Sequence, residues 1–321
     1  MVDVSKLKSL AEWPKARQTI EKSVQSVVGP VPKKRAELQV KSTDETSFLN
    51  YTRRRVNYFI SDWERVSAWL FVPDTRDQVP GILCCHRAVP QGKDETAAIS
   101  GDPAMAFAHH YAELGYVTLA PDCITAGERA PHGRQPYDTT AYYRESPKIS
   151  VMGKILADHC HGLDVLCDTR QVDDQRLGVI GHGLGGTNAL LLAAFDERVQ
   201  AAVASCPFTR FQDDDQPGRW VDDDGFAALP KLKEAVDKKE FPFDWEHILA
   251  LGAPNATLIL SALNDEKLPN AKSAEKAVKL ARNIYKLLGE EDALSIETHR
   301  EGHRITPALL EHADDWFERW L

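Results

Sequence analysis

What this chain of 321 residues lacks narrows its role before anything it contains does. No stretch approaches the roughly 18–20 consecutive apolar residues of a membrane-spanning helix. The amino terminus, MVDVSKLKSLAEWPKARQ, has no continuous apolar run of the signal-peptide kind. A cytoplasmic protein with no membrane partner is the expectation. No long Lys/Arg run occurs, and 39 Lys+Arg against 48 Asp+Glu leave a formal charge of −9, which disfavours a nucleic-acid partner because phosphate binding needs a basic face. Lys33-Lys34-Arg35 and Arg53-Arg54-Arg55 read as solvated charge. The six cysteines (Cys84, Cys85, Cys123, Cys160, Cys167 and Cys206) mostly sit in apolar runs and show no Cys-x-x-Cys or zinc-type spacing, so buried reduced thiols are predicted. No metal and no cofactor are called for. The acidic stretch QDDDQPGRWVDDDG (212–225) lacks the alternating ligands and terminal Glu of an EF-hand and reads as a solvated loop, with Trp220 as a pocket wall.

Hydrophobic residues at 43% and charged residues at 27% fit an ordinary globular chain. One domain over 1–321 is expected, with no internal repeats. Residues 1–54 read as an arm packed on a core, because Leu7, Leu10, Trp13 and Ile20 have loose helical spacing that VVGPVPKK breaks. From about 55, short apolar runs alternate with amphipathic ones. VNYFIS, SAWLFVPD, GILCCHR, YVTLAPD, RLGVIGH, VQAAVASC, NATLILSAL and LSIETHR read as strands. Helices are predicted over 104–115, 149–168, LGGTNALLLAAF, 270–289 and the carboxyl terminus. Two insertions, 123–147 and 207–245, interrupt the alternation. Continuous apolar strands between amphipathic helices predict an α/β fold with a mostly parallel central sheet and helices on both faces.

The segment GVIGHGLGGTNALLLAAF, 178–195, joins a strand to a helix through a glycine-crowded turn. Its centre, Gly-His-Gly-Leu-Gly, has the spacing of the Gly-x-Ser-x-Gly nucleophile elbow with Gly183 in the serine's place. In such a turn the backbone N–H after the nucleophile, here that of Leu184, helps to bind an oxyanion. A dinucleotide fingerprint is disfavoured, since GHGLGG has glycines at offsets four and five and does not open the sheet.

Order along the chain points to the partners. After an elbow, an acid is expected at the end of a later strand and a histidine after the last strand. TLILSALNDE ends on Asp265, with Glu266 as competitor, and ETHREGHRITP offers His303, with His299 and His312 as rivals. The loop CCHRAVPQGK is expected to supply a second oxyanion N–H from Arg87 or Ala88. His86 reads either as a substrate contact or as a backbone-bonded histidine at a strand end, and His182 as a substrate contact. The 122–145 loop carries Glu128, Arg129, His132, Arg134, Tyr137, Tyr142 and Tyr143, of which Glu128, Arg129 and Tyr142 are taken as substrate-binding.

These residues together resemble the α/β-hydrolases, specifically the dienelactone-hydrolase-like and acetyl-xylan-esterase-like group. The resemblance rests on GHGLGGTNALLLAAFDERVQAAVASC, YAELGYVTLAPD, SALNDEKLPN and EGHRITPALLEHADDWFERWL, and spans most of 55–321. It implies Asp265 and His303 as acid and base, Leu184 and Ala88 as oxyanion donors, and a carboxylic ester as the small-molecule partner. The family's serine maps onto Gly183, which is the departure.

Without a hydroxyl the acyl-enzyme route is closed at that atom. Three readings stay open. The chain is a serine-to-glycine form of an esterase, a natural binding module, or an enzyme of another class in which His303 and Asp265 do acid–base work on water or on the substrate. Cys206 and Cys85 are the nearest thiols by position that offer a substitute nucleophile.

Overall fold

Short segments of five to eleven residues, most of them apolar, line up side by side in the computed structural model, which describes residues 1–31, 37–61 and 64–321. They form one nine-stranded sheet in the order β1 (Val40–Ser47), β2 (Tyr51–Phe59), β3 (Arg65–Pro73), β5 (Val117–Pro121), β4 (Val79–Cys85), β6 (Val172–His182), β7 (Val199–Ser205), β8 (Ala256–Ala262), β9 (Leu294–His299). The pairs from β1 to β3, and β3 with β5, are antiparallel; from β5 to β9 every pair is parallel. All of β5, β7 except Gln200, and all of β8 are buried, as a sheet covered on both faces requires.

The ten helices of the described residues are α1 (Trp13–Val28), α2 (Lys93–Thr96), α3 (Phe107–Glu113), α4 (Thr140–Glu145), α5 (Val151–Asp168), α6 (Leu184–Phe195), α7 (Lys233–Lys238), α8 (Trp245–Gly252), α9 (Ser273–Leu288) and α10 (Pro307–Trp320). Alternation along the strands shows which helices lie on which face. A β-carbon at Gly178 would meet Phe317 and Leu321 at 2.9 Å, so α10 lies on that side. The next residue, Val179, shares the register of Leu83, and Leu83 meets Gly162 of α5. Thus α5 covers the opposite side. α9 buries Ala274, Ala277, Val278, Ala281, Ile284 and Tyr285 at three- and four-residue steps and ends at Gly289, whose φ of +83° closes the helix.

The expected arm boundary at 54 does not hold. Residues 40–54 belong to β1 and β2, and β1 is exposed along its whole length. Its sequence, VKSTDETS, has no apolar alternation because neither face is covered, and its polar side chains suit an unpaired sheet edge. Lys33-Lys34-Arg35 lies outside the described residues. Arg54 pairs with Glu45 at 2.8 Å across β1 and β2, while Arg53 lies over the rings of Phe48 and Trp69. The helix expected over 104–115 is shorter, preceded by a 3-10 turn at Pro103–Met105.

Candidate active site

Strand β6 stops at His182 and helix α6 starts at Leu184, so the chain turns within the single residue Gly183, at φ +56° and ψ −120°. The sharpness depends on bare backbone nearby. A β-carbon on Gly181 would lie 2.2 Å from the carbonyl carbon of Gly185, and one on Gly185 would lie 2.3 Å from the carbonyl oxygen of Cys85. The Gly183 N–H donates to the Ser205 carbonyl at 2.8 Å, and Thr187 Oγ1 donates to the Pro207 carbonyl at 2.6 Å, tying the first turn of α6 to the exit of β7. The sharp backbone turn of a nucleophile elbow is present, which Gly183 adopts without strain; its side chain is not.

Asp265 follows β8 by three residues and His303 follows β9 by four. His303 Nδ1 lies 2.8 Å from Asp265 Oδ2, and Asp265 Oδ1 accepts the backbone N–H groups of Lys267 at 2.8 Å and Leu268 at 2.9 Å. Burial raises the Asp265 pKa, but the hydrogen bond and charge of His303 with those two N–H donors outweigh it, and the net shift is downward. The far nitrogen of the ring, Nε2, stands 3.1 Å from where a β-carbon on Gly183 would be. It makes no hydrogen bond among the described residues. The elbow, the acid and the imidazole therefore meet at one place. Glu266, the competing acid, accepts the His303 backbone N–H at 3.1 Å and holds the loop.

The pocket above Gly183 has a volume of about 320 Å³, and Ala88, Leu184, Cys206, Trp220, Phe226 and His303 are among its walls. The backbone N–H groups of Arg87, Ala88 and Leu184 have no acceptor among the described residues, and all three residues line the pocket. The Arg87 side chain is committed elsewhere, donating to the buried Glu95 carboxylate at 2.9 and 2.7 Å. Trp220 forms a wall as expected, packed edge-on to Phe211 at 5.7 Å between ring centroids.

Four expected substrate contacts are corrected, and His86 follows the second of its two readings, the backbone-bonded histidine. His86 is fully buried: Nδ1 donates to the Arg87 carbonyl at 2.8 Å and Nε2 accepts the Cys123 N–H at 3.0 Å, with burial lowering its pKa. It shapes the loop instead of touching ligand. His182 is also fully buried, bonded to Ser205 Oγ at 2.9 Å and set edge-on to His303 at 4.6 Å between centroids; burial, then the neighbouring His303, hold its pKa down at about 3. Glu128 is taken up by Lys93 Nζ at 2.6 Å and by Arg55. Arg129 is buried and bonds Asp158 at 2.7 Å and Glu64 at 2.8 Å, and the Tyr142 hydroxyl donates to the Ile149 carbonyl at 3.3 Å. These three knit the 123–147 insertion to the body and stay out of the pocket, because a buried or half-buried charge is tolerable only when paired.

Sequence reasoning missed the placement role of Tyr137. Its hydroxyl accepts the Val89 N–H at 3.0 Å and lies 3.1 Å from the Arg87 carbonyl, bracing the loop after β4 across 50 residues of chain. No local pattern signals such a return. Cys206 follows β7 at φ +47° with its thiol beside Asp265, and burial, then the Asp265 charge, push its pKa up to about 12. A thiol kept protonated is a poor nucleophile. Cys85 is fully buried and its pKa is raised likewise. Ligand-type atoms of Cys206, Asp265 and His303 lie within 4.8 Å of one another, although the Asp265–His303 hydrogen bond already occupies two of them.

Comparison with known proteins places this geometry. The Dienelactone hydrolase family model matches residues 66–218, the span that includes the loop after β4 and the turn at Gly183. That segment is similar to the dienelactone hydrolase family, and the chain has an α/β-hydrolase fold. YtaP of Bacillus subtilis (strain 168), named as a candidate hydrolase, is 25% identical over 271 residues, which is 80% of this chain and 84% of YtaP. A glucuronoyl esterase from Solibacter usitatus superposes with a TM-score of 0.77 at 17% identity, covering 97% of this chain and 93% of that one. An acetyl xylan esterase from Paenibacillus sp. R4 gives a TM-score of 0.64 at 18% identity over 99% of both chains. At these identities the structural likeness speaks for the α/β-hydrolase fold. No helix of the described residues is long and apolar enough to cross a membrane.

Proposed function

We propose that this α/β-hydrolase cleaves a carboxylic ester by direct attack of water, with His303 as general base and no acyl-enzyme. One observation carries the reading: His303 is held by Asp265 at 2.8 Å on one nitrogen while the other points, at 3.1 Å, to the place from which a nucleophile side chain would leave residue 183. Water bound at that place loses its proton to Nε2 as its oxygen attacks the ester carbonyl carbon. The carbonyl oxygen, becoming an oxyanion, is received by the Leu184 and Ala88 N–H groups. When the tetrahedral species collapses, Nε2–H protonates the departing alkoxide. Asp265 keeps the proton on Nδ1 throughout and stabilises the imidazolium.

The ester class draws on the structural relatives, two of which are titled glucuronoyl esterase and acetyl xylan esterase. The retained Asp–His pair argues against a pure binding module, since binding alone gives no reason to orient an imidazole. An oxyanion hole and substrate binding without an intact triad leave roughly 10³–10⁴-fold catalysis over water, which sets the scale expected here. The test is hydrolysis of p-nitrophenyl acetate by the wild type and by His303→Ala. A loss of at least about 100-fold is expected, the low end of general-base contributions. Equal rates would refute the base, and a pocket that binds ligand without turnover would leave the binding-module reading standing.

A further inference from the structure

The same geometry has room for a second reaction, and this inference rests on the reading of His303 as a base. In a serine enzyme the hydroxyl stands between the imidazole and the substrate, so the base meets only that hydroxyl. At Gly183 nothing stands between: the residue ends at its α-carbon, and His303 Nε2 is 3.1 Å from the first point a side chain would occupy. A carbonyl compound whose oxygen rests on the Leu184 and Ala88 N–H groups carries its α-carbon one bond from the carbonyl carbon. That α-carbon falls within reach of the same Nε2. We infer that the site also removes a proton from carbon next to a carbonyl, making an enolate in the oxyanion hole.

The chemistry uses only groups already placed. The α-C–H bond breaks, its proton goes to Nε2, its electron pair forms the C=C bond, and the carbonyl π pair moves to oxygen, where two backbone donors meet it. Reversal returns a proton from Nε2 to carbon. Atoms and charge balance without an oxidant or a further reactant. Asp265 has the same task as in hydrolysis, holding the neutral imidazole with its lone pair on Nε2. Trp220, Phe226 and Leu268 make the pocket wall apolar in part, which suits a substrate with an aryl group on its α-carbon and disfavours a fully hydrated one. The oxyanion donors and the base are those a serine hydrolase uses; removal of the intervening hydroxyl converts them into the parts an enolising enzyme needs.

The experiment follows phenylacetone in D₂O by proton NMR, since this ketone has an acidic α-C–H and no leaving group, so hydrolysis cannot contribute. Full-length wild type is expected to exchange the α-protons at least about tenfold faster than buffer. His303→Ala and Gly183→Ala are each expected to fall to the buffer rate, the second because a methyl group fills the gap. Circular dichroism on both variants confirms that they are folded, and Asp265→Asn provides a second loss of the base if one is not. Wild-type exchange no faster than buffer, or unchanged in the His303 and Asp265 variants, overturns the inference. Hydrolysis of methyl phenylacetate is measured on the same samples: hydrolysis without exchange defeats the enolate and leaves the ester reading intact, while exchange without hydrolysis does the reverse.

Discussion

His303 Nε2 faces Gly183 across 3.1 Å, measured to the place of the missing β-carbon, and its other ring nitrogen is fixed to Asp265 at 2.8 Å. An imidazole oriented this way has a base's geometry whether or not residue 183 carries a hydroxyl.

Gly183→Ala separates space from chemistry. Its methyl would sit against Nε2 in a backbone region that costs an L-residue of order 1–3 kcal/mol. The variant is expected to remain folded, with a denaturation midpoint lowered accordingly, and to hydrolyse p-nitrophenyl acetate no faster than His303→Ala. Retained activity would mean that the reacting water sits elsewhere.

Asp265→Asn keeps the shape but changes which nitrogen of His303 carries the proton. In serine triads this tautomer error costs about 10⁴-fold in kcat. Here too Nε2 would lose its lone pair, so the variant is expected to match His303→Ala in kcat with little change in KM. A variant that loses KM and keeps kcat would make Asp265 a structural acid only.

Stability in mild acid reports on buried histidines. Burial lowers the pKa of His86 and, further, those of His159 and His182, both to about 3. Unfolded, each takes up a proton near pH 6.5, while the folded protein keeps both neutral, so the unfolded state binds more protons and stability falls as pH drops below that value. The slope expected is about 1.4 kcal/mol per pH unit for each histidine. Asp265 and Asp158, whose pKa values are lowered, lose their stabilising effect only at lower pH, through and below the normal carboxylate range. Urea midpoints between pH 6.5 and 4.5 for wild type and His159→Gln check this: the variant's curve should be flatter, and an equal slope would contradict it.

Thiol labelling tests whether Cys206 can stand in as nucleophile. Cys167 is the one partly exposed cysteine, and Cys206 is buried with its pKa near 12. Iodoacetamide at pH 8, read by peptide mass, is expected to label Cys167 first and leave Cys206 unmodified in the native protein. Rapid labelling of Cys206 would reopen a thiol mechanism.

Much of this arrangement was legible in the sequence because it is local or ordered. The apolar runs of β4 to β8 announce strands buried at the centre of the sheet, and the order elbow, Asp265, His303 is fixed by strand ends that the topology brings to one edge. What stayed hidden depends on distant pairing. Glu128 and Arg129 look like ligand contacts in a polar loop, yet Lys93, Asp158 and Glu64 claim them once the insertion folds back. His182 sits next to the elbow in sequence but alternates to its buried side. Strand β1 gave no signal because a strand solvated on both faces has no apolar period to display.

Restoring the hydroxyl tests the central claim most directly. With p-nitrophenyl acetate, wild type should turn over slowly without a burst, whereas Gly183→Ser should be at least about 100-fold faster, with a burst and a covalent acyl group at position 183. If the substitution neither raises the rate nor yields an acylated protein while the variant remains folded, the elbow, Asp265 and His303 do not form a working hydrolytic site.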